Sequence, residues 1–538
     1  MKRVLAIFQS RYATFFCIIF AIANRIIFAT LYSSIGRDAR VQITLAKNLL
    51  AGKGMGVTKY FAASPDQPVF DTTQFFPPGF SFTIVPFLTL FNNEYDAVLV
   101  FDVIAIILLV WSVRSLGKRA GLSTAMNNLL TLIAGCSQYT FIMHGSSTDT
   151  IALAFLLFGL SALVKIVSEQ RPLRWGSVLL VGLLFFIPSF FRYMYIPVSF
   201  LFPLIIFAYG IYYRQRSLKI TAVKLGSVVA IFVFLMLFLS YQYSGNSVYV
   251  FETARGFFPG QLVHWYPYIP ASFINIDFLA QLVAKLPGMD YIDAFIFFEI
   301  LNIILFLFLM YCLLRYWFWK KIQLSNISVF IVSGAAISLS ILVLLAYFAV
   351  TYKPQLYGIY LWNYNYESRY FAFIYIFLPA LVLLCISTYS FLLKRFVFKA
   401  LLFLAIAFLF IEILHGVYYN AKIITKQKDV IAIKDRVVDY KQFPAMLKEM
   451  QARYPDREIL ISASDQSFLH NASQLGYKAI FDYASLNTTA VAVKQKSILL
   501  FPIHETDVWI MKEYLTKRKP QLLTKIAGTE FYLEELNP

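Results

Sequence analysis

The chain has 538 residues, of which 59% are hydrophobic and only 14% charged, with a mean hydropathy of +0.67. A soluble domain of ordinary composition carries roughly a quarter charged residues, so this balance excludes a soluble globular protein and points to a bilayer as solvent. The net charge of +18 does not indicate a nucleic-acid partner, because the basic residues gather in short loops between apolar runs, where Lys and Arg set membrane orientation.

From the N-terminus, Met1-Lys2-Arg3 precedes an apolar run, Ala13–Tyr32, which is interrupted by Arg25 and has no small-residue cleavage site; an uncleaved first span is expected. Runs of spanning length recur at Ala97–Gly117, Met126–Met143, Ile151–Val167, Gly176–Phe191, Tyr193–Tyr213, Ala222–Tyr241, Ile292–Leu314, Ile327–Val350, Tyr370–Leu393 and Ala400–Val417. About 20 apolar residues cross roughly 30 Å of hydrocarbon, so about eleven spans are expected. Phe80–Phe91 is too short to cross and reads as an interfacial or re-entrant segment. The four cysteines, Cys17, Cys136, Cys312 and Cys385, fall inside apolar runs and form no metal or disulfide pattern.

Every second loop is short and basic: Arg114, Lys118 and Arg119; Lys165, Arg171 and Arg174; Arg214, Arg216 and Lys219; Arg315, Lys320 and Lys321; Lys394, Arg395 and Lys399. The positive-inside rule puts these loops and the N-terminus in the cytoplasm. The other side then receives a first loop at 33–78, the loop around His144 and Asp149, the segments Gln242–Tyr291 and Thr351–Arg369, and the tail. From about Tyr418 charges appear throughout. Strand-like runs at Glu458–Ser462, Lys478–Phe481, Ser497–Phe501 and Glu530–Leu533, with a helix-like stretch at Ser464–Leu475, predict a small α/β domain. The expectation is an α-helical polytopic protein of the plasma (inner) membrane, with interfacial helices beside its spans. It divides into a membrane domain at 1–417 and an extracytoplasmic α/β domain at 418–538. No internal repeat or low-complexity linker is visible.

The first outer loop contains Ile35-Gly36-Arg37-Asp38-Ala39-Arg40 and then Leu45-Ala46-Lys47-Asn48-Leu49-Leu50-Ala51-Gly52-Lys53-Gly54. A short helix is predicted here, with Asp38 at or near its N-cap and Gly52 and Gly54 as its stop signal. Asp66, Asp71, Asp149 and Glu367 are further acids outside the spans, and nothing in the sequence brings them to Asp38; Asp149 reads as an N-cap for the span that follows it.

These motifs resemble the GT-C glycosyltransferases, multi-spanning enzymes that use polyprenyl-phosphate-linked sugars, including the bacterial lipid-A arabinose, galacturonic-acid and mannosyl transferase families. The resemblance rests on four strings in the family's order. They are the first-loop Asp-Ala with Ala-Lys-Asn-Leu-Leu-Ala-Gly-Lys-Gly after it, Phe75-Phe76-Pro77-Pro78-Gly79-Phe80, Pro188-Ser189-Phe190-Phe191-Arg192, and Glu367-Ser368-Arg369-Tyr370-Phe371. It covers roughly Met1 to Val417. One departure is that the family often has two adjacent acids in the first loop, whereas Asp38 stands between Arg37 and Ala39. A single acid serves as a base but gives no support to a metal site, which needs several oxygen ligands; no cofactor is expected.

The resemblance implies an inverting transfer of a sugar from a polyprenyl-phosphate donor to a glycan, lipid or protein acceptor outside the cytoplasm. Chemically, the acceptor hydroxyl must lose a proton as it attacks, which a carboxylate within hydrogen-bond reach accepts; Asp38 is assigned that part. The departing phosphate gathers charge that a guanidinium stabilises. Arg369, at the membrane edge, is the leading candidate and Arg192 the second, although an interfacial Arg that snorkels to water gives the same pattern. Glu367, Tyr370, Lys353 and His264 are further substrate-binding candidates, Lys353 and His264 (like Arg255) on position alone. The aromatic strings His264-Trp265-Tyr266 and Tyr360-Leu361-Trp362-Asn363-Tyr364 fit a sugar-stacking surface or an interfacial belt. The alternative function is a transporter or lipid-linked-sugar flippase without covalent chemistry. Against it stand the absence of a repeat and the few acids near spans, Asp102, Glu299 and Glu412.

Overall fold

A computed structural model describes residues 9–32, 37–71, 76–91, 94–137, 147–244, 276–288, 290–319, 325–351, 355–357, 360–362, 371–388, 396–425, 442–463, 466–480, 486, 491–504, 512–526 and 529–538. In chain order the first elements are α1 (Arg11–Tyr32), α2 (Arg37–Leu50), β1 (Val57–Phe61), β2 (Ser64–Asp71), α3 (Gly79–Leu90), α4 (Glu94–Arg119), α5 (Thr124–Cys136) and α6 (Ser147–Glu169). Next come α7 (Trp175–Phe191), α8 (Ile196–Tyr212), α9 (Arg216–Ser244), α10 (Ile276–Val283), α11 (Tyr291–Trp319) and α12 (Asn326–Thr351). After a small hairpin, β3 (Gln355–Tyr357) and β4 (Tyr360–Trp362), the membrane part closes with α13 (Ala372–Thr388) and α14 (Phe396–Thr425). The tail contains α15 (Phe443–Arg453), β5 (Glu458–Ser462), α16 (Gln466–Gln474), β6 (Lys478–Ile480), β7 (Ser497–His504), α17 (Lys512–Arg518), β8 (Gln521–Ile526) and β9 (Thr529–Leu536).

Each of the eleven expected spans carries a helix, and among the described residues 8 helices are long and apolar enough to cross a bilayer on their own. Only helices and closed barrels satisfy every backbone group in hydrocarbon, so an apolar run of this length has one stable conformation. The protein is a polytopic helical membrane protein with an α/β region at its C-terminal end. The short run expected at Phe80–Phe91 is the helix α3, with Pro86 inside it.

At the centre of the bundle lies α6, packed against α4, α7, α8, α12 and α13. The stretch 371–385, which leads into and includes most of α13, is buried throughout, as expected of a helix apolar on all sides. Cys17, Cys136 and Cys385 are buried free thiols, the small core residues expected of them.

The first and last spans meet α5 in a buried polar knot. Asn420 Nδ2 of α14 donates to the Asn24 backbone oxygen at 2.7 Å and to its Oδ1 at 2.8 Å. Asn24 Nδ2 reaches Gly135 O at 3.2 Å, Arg25 Nε reaches Ala134 O at 3.0 Å, and Ser137 Oγ reaches Glu412 Oε1 at 2.8 Å. Arg25, which interrupts the first apolar run, is fully buried here and meets the Ala134 carbonyl in the last turn of α5, where intrahelical N–H partners run out. Interhelical hydrogen bonds in membranes average roughly 0.6 kcal/mol, so close packing carries more of the association than this polarity. A Cβ built on Gly416 would stand 1.5 Å from the carbonyl oxygen of Cys136, a backbone atom that cannot move aside.

The C-terminal strands form one sheet of 7 strands in the order β2-β1-β6-β5-β7-β9-β8. Strands β6, β5 and β7 are parallel, and β7, β9 and β8 antiparallel. Alternation along β5 sends Ile459 and Ile461 toward Phe443, Leu447 and Leu469, and Leu460 toward Leu499, Phe501 and Tyr514. The strands expected from the tail sequence are all present; β8 is an addition. The first-loop hairpin β1–β2 joins the same sheet, with β1 parallel to β6 at Tyr60–Ile480. Its outer strand β2 contains Pro65 and Pro68 and reads as a loop in sequence. Because Pro cannot donate to a ladder, an edge is where such a strand fits.

Strands cannot pair through a bilayer, so the first loop and the tail lie on one side of the membrane. Replacing Gly416 by Ala should lower the thermal unfolding temperature in detergent, by the equivalent of about 1–3 kcal/mol or more of overpacking. Gly176→Ala, where an added Cβ meets nothing within 4 Å, should not; equal stability of the two variants would contradict the tight α5–α14 crossing.

Candidate functional site

Asp38 is the second residue of α2, whose helix stops at Leu50, where the glycines predicted the end. The Lys53 N–H donates to Asn48 O at 2.9 Å and the Gly52 N–H to Leu49 O at 3.0 Å, which satisfies the last carbonyls. Residues 39–46 are buried on every side of this helix. Ala39, Ile43 and Ala46 enter the core of the membrane bundle, while Val41 and Leu45 pack with Val57 and Phe76. Three polar residues, Arg40, Gln42 and Thr44, are buried with them, each 3% exposed or less.

Two contacts tie α2 to the bundle. Ser81 Oγ donates to Gln42 O at 3.0 Å, and Lys47 pairs with Glu94 at the head of α4. On its other side α2 packs against α16 and β1. A helix with this much polar surface has no place in hydrocarbon; it is stable because the bundle covers one face and the tail another.

The Pro77-Pro78-Gly79 turn starts α3 and runs directly against α7. A Cβ built on Gly79 would lie 2.3 Å from the carbonyl oxygen of Phe190, so the motif's glycine permits an approach that no larger residue would. Aromatic rings fill the space behind the turn: Phe80 and Phe101 meet edge to face at 5.0 Å between centroids, and Phe101 and Phe191 lie 6.4 Å apart.

Two residues beyond Phe190, the chain leaves α7 at Arg192, whose backbone is extended between the helix and the 3₁₀ turn Tyr193–Tyr195. Arg192 Nε and a terminal nitrogen each reach a different oxygen of Asp149, both at 2.5 Å. Both residues are buried, which makes this a bidentate, charge-assisted pair in a low-dielectric setting. The N-cap expected at Asp149 is corrected: it lies inside the first turn of α6, and its carboxylate is directed to a guanidinium 43 residues away. Sequence reading missed it because an acid at a helix start is explained by capping alone.

The turn is therefore tied to α2 through Ser81 and lies against the end of α7 that precedes Arg192. Of Asp38 the structure describes the backbone, in the first turn of α2. Arg369, Glu367, Tyr370, Lys353 and His264 lie outside the described residues, and so does His144; Phe371, the end of the Glu367–Phe371 string, is described and fully buried. Among the described residues no group of three His, Cys, Asp or Glu side chains is placed to hold a metal ion.

A second charged cluster lies where the first loop meets the tail. Lys478 Nζ of β6 stands 2.9 Å from Asp66 Oδ1 of β2 and 2.7 Å from Glu458 Oε1 of β5, while Lys494 Nζ is 3.6 Å from Asp66 Oδ2. The Lys478 hydrogen bond holds the Asp66 carboxyl below its usual range. Partial burial works against the Lys478 charge, but the hydrogen bonds to Glu458 and Asp66 outweigh it and raise the amine above its usual range.

Arg192→Ala should leave the Asp149 carboxylate buried without its partner and cost about 3–5 kcal/mol, read as a lowered unfolding temperature in detergent. Arg192→Met combined with Asp149→Leu should recover most of that loss. A single variant as stable as the parent would show that the pair contributes nothing to the fold.

No protein-family model matches the sequence, and no curated protein matches it. Among solved structures the chain is similar to ArnT from Cupriavidus metallidurans in the apo state, at 12% identity and a TM-score of 0.42, covering 97% of this chain and 98% of that one. It is similar also to the same protein bound to undecaprenyl phosphate, at 10% identity and a TM-score of 0.42, with the same coverage. The likeness extends over the whole path of the chain at a level that assigns no residue.

Proposed function

We propose that the protein is an inverting glycosyltransferase of the GT-C kind, moving a sugar from a polyprenyl-phosphate donor to an acceptor on the non-cytoplasmic face of the plasma membrane. The observation that supports this reading is the convergence of three separate sequence motifs. The helix that carries Asp38 in its first turn is bonded through Gln42 O to Ser81, just past the Pro77-Pro78 turn, and the glycine of that turn abuts the residues that end in Arg192. These strings lie far apart in sequence and have no reason to assemble in a scaffold.

In the proposed reaction an acceptor hydroxyl attacks the anomeric carbon, and its proton passes to the Asp38 carboxylate. The new oxygen–carbon bond forms as the bond to the phosphate oxygen breaks. The polyprenyl phosphate leaves with the bonding electrons, and a single displacement inverts the anomeric centre. Arg369 meets the developing phosphate charge at the membrane edge, where its planar fork fits two phosphate oxygens. Arg192, held by Asp149, supports the same region; the fixed pairing gives it an orientation that a solvent-exposed arginine lacks. Glu367, Tyr370, Lys353 and His264 are proposed substrate contacts. Orientation follows the basic loops, with the N-terminus in the cytoplasm and the tail domain outside.

With labelled polyprenyl-phosphate sugar supplied to membranes, Asp38→Asn should abolish transfer at normal expression, a loss of at least 10²-fold for a missing base. Arg369→Ala should weaken donor use by 1.5–3 kcal/mol, about the worth of a charged hydrogen bond. Full activity of Asp38→Asn removes that residue as the base, and movement of the lipid-linked sugar across vesicles with no covalent product replaces transfer by transport.

A further inference from the structure

The tail domain does more than sit beside the membrane part, and the reason lies in what covers α2. Residues 39–46 are buried with Arg40, Gln42 and Thr44 among them. The bundle contacts α2 through α3, and α16 of the tail, which follows β5, packs on α2 as well. The link 51–56 joins the end of α2 to β1, and β1 is built into the tail's sheet beside β6. The Ala492 N–H donates to Ala62 O at 3.0 Å, and Ala62 itself is buried in the same cluster as Leu460, Ile480 and Phe501.

The bridge between β1 and β6 is short, with one residue pair, Tyr60 and Ile480, in register. So little ladder does not hold a hairpin by itself. The charged cluster supplies the rest. Lys478, in the strand next to β1, takes one carboxylate from the tail (Glu458) and one from the hairpin (Asp66), and its amine also stands 6.0 Å from the centroid of the Tyr60 ring. Without Lys478, Glu458 and Asp66 would face each other with no shared cation between them.

We infer that Lys478 is a positioning residue for the membrane site: by drawing Asp66 to Glu458 it locks the first-loop hairpin into the tail's sheet, and so fixes the helix that carries Asp38 in its first turn. This rests on the reading of Asp38 as the base, but the holding of α2 can be measured separately from catalysis. A displacement of about 1 Å at a reacting group costs on the order of a hundredfold in rate, so loosening α2 should lower kcat while leaving the donor KM unchanged.

The test uses the full chain in lipid nanodiscs. Lys478→Ala should speed amide exchange across residues 37–50 and lower kcat at least tenfold, and Lys478→Arg should restore both. A Tyr60→Cys/Ile480→Cys pair, whose strands lie within disulfide reach, should rescue kcat in the Lys478→Ala background when oxidised and lose the rescue on reduction. Unchanged exchange in 37–50 in Lys478→Ala overturns the proposal. So does a formed disulfide that leaves kcat depressed, since the defect would then not be one of position. If Asp38→Asn keeps full activity the catalytic reading fails, while the exchange measurement still decides whether Lys478 holds α2.

Discussion

A sheet edge needs a partner or a cover, and the edge of the tail's parallel strands is closed by a hairpin from the other end of the chain. Strand β6 is only three residues long and would otherwise present open hydrogen-bonding groups on its outer side. Pairing with β1 at Tyr60–Ile480 covers part of this edge and draws in what is attached to β1: α2 behind it and β2 with Asp66 beyond it. The consequences reach the membrane, because both partners of a strand pair must stand on the same side of the bilayer. An even number of crossings must therefore separate residues 57–71 from the tail.

The buried charges follow a common logic of paired desolvation. Each is expensive in a low-dielectric setting and is retained where a specific partner meets it. Arg25 meets the Ala134 carbonyl in the last turn of α5, Arg192 meets both oxygens of Asp149, and Lys478 meets two carboxylates at a half-exposed seam. The three differ in what they join. Arg25 ties the first span to α5, Arg192 joins the end of α7 to the start of α6, and Lys478 joins the first loop to the tail.

The proposed place of a base on such a helix has a physical rationale. A group on a solvated loop samples many positions, whereas a helix covered on both faces presents its first turn in one place. The aromatic packing of Phe80, Phe101 and Phe191 beneath the Pro-Pro turn makes that side incompressible. The tail supplies further contacts to this helix through α16.

The helices of the membrane part were legible in the sequence, because hydrocarbon turns hydrophobicity into a one-dimensional requirement: an apolar run of sufficient length must be a helix wherever it falls. The helix at Asp38, its glycine stop and most strands of the tail were legible too, since caps and alternation act over a few residues. The tertiary structure alone decided the rest. Asp66 and Lys478 are 412 residues apart, and no local pattern encodes that two acids and a lysine will share a seam. Asp149 looked like a helix cap until the fold brought Arg192 to it, and the proline-rich strand β2 became a strand only because a sheet edge was waiting for it. Local chemistry fixes which elements form; the pairing of distant polar groups is settled by which of them the folded chain can take out of water together.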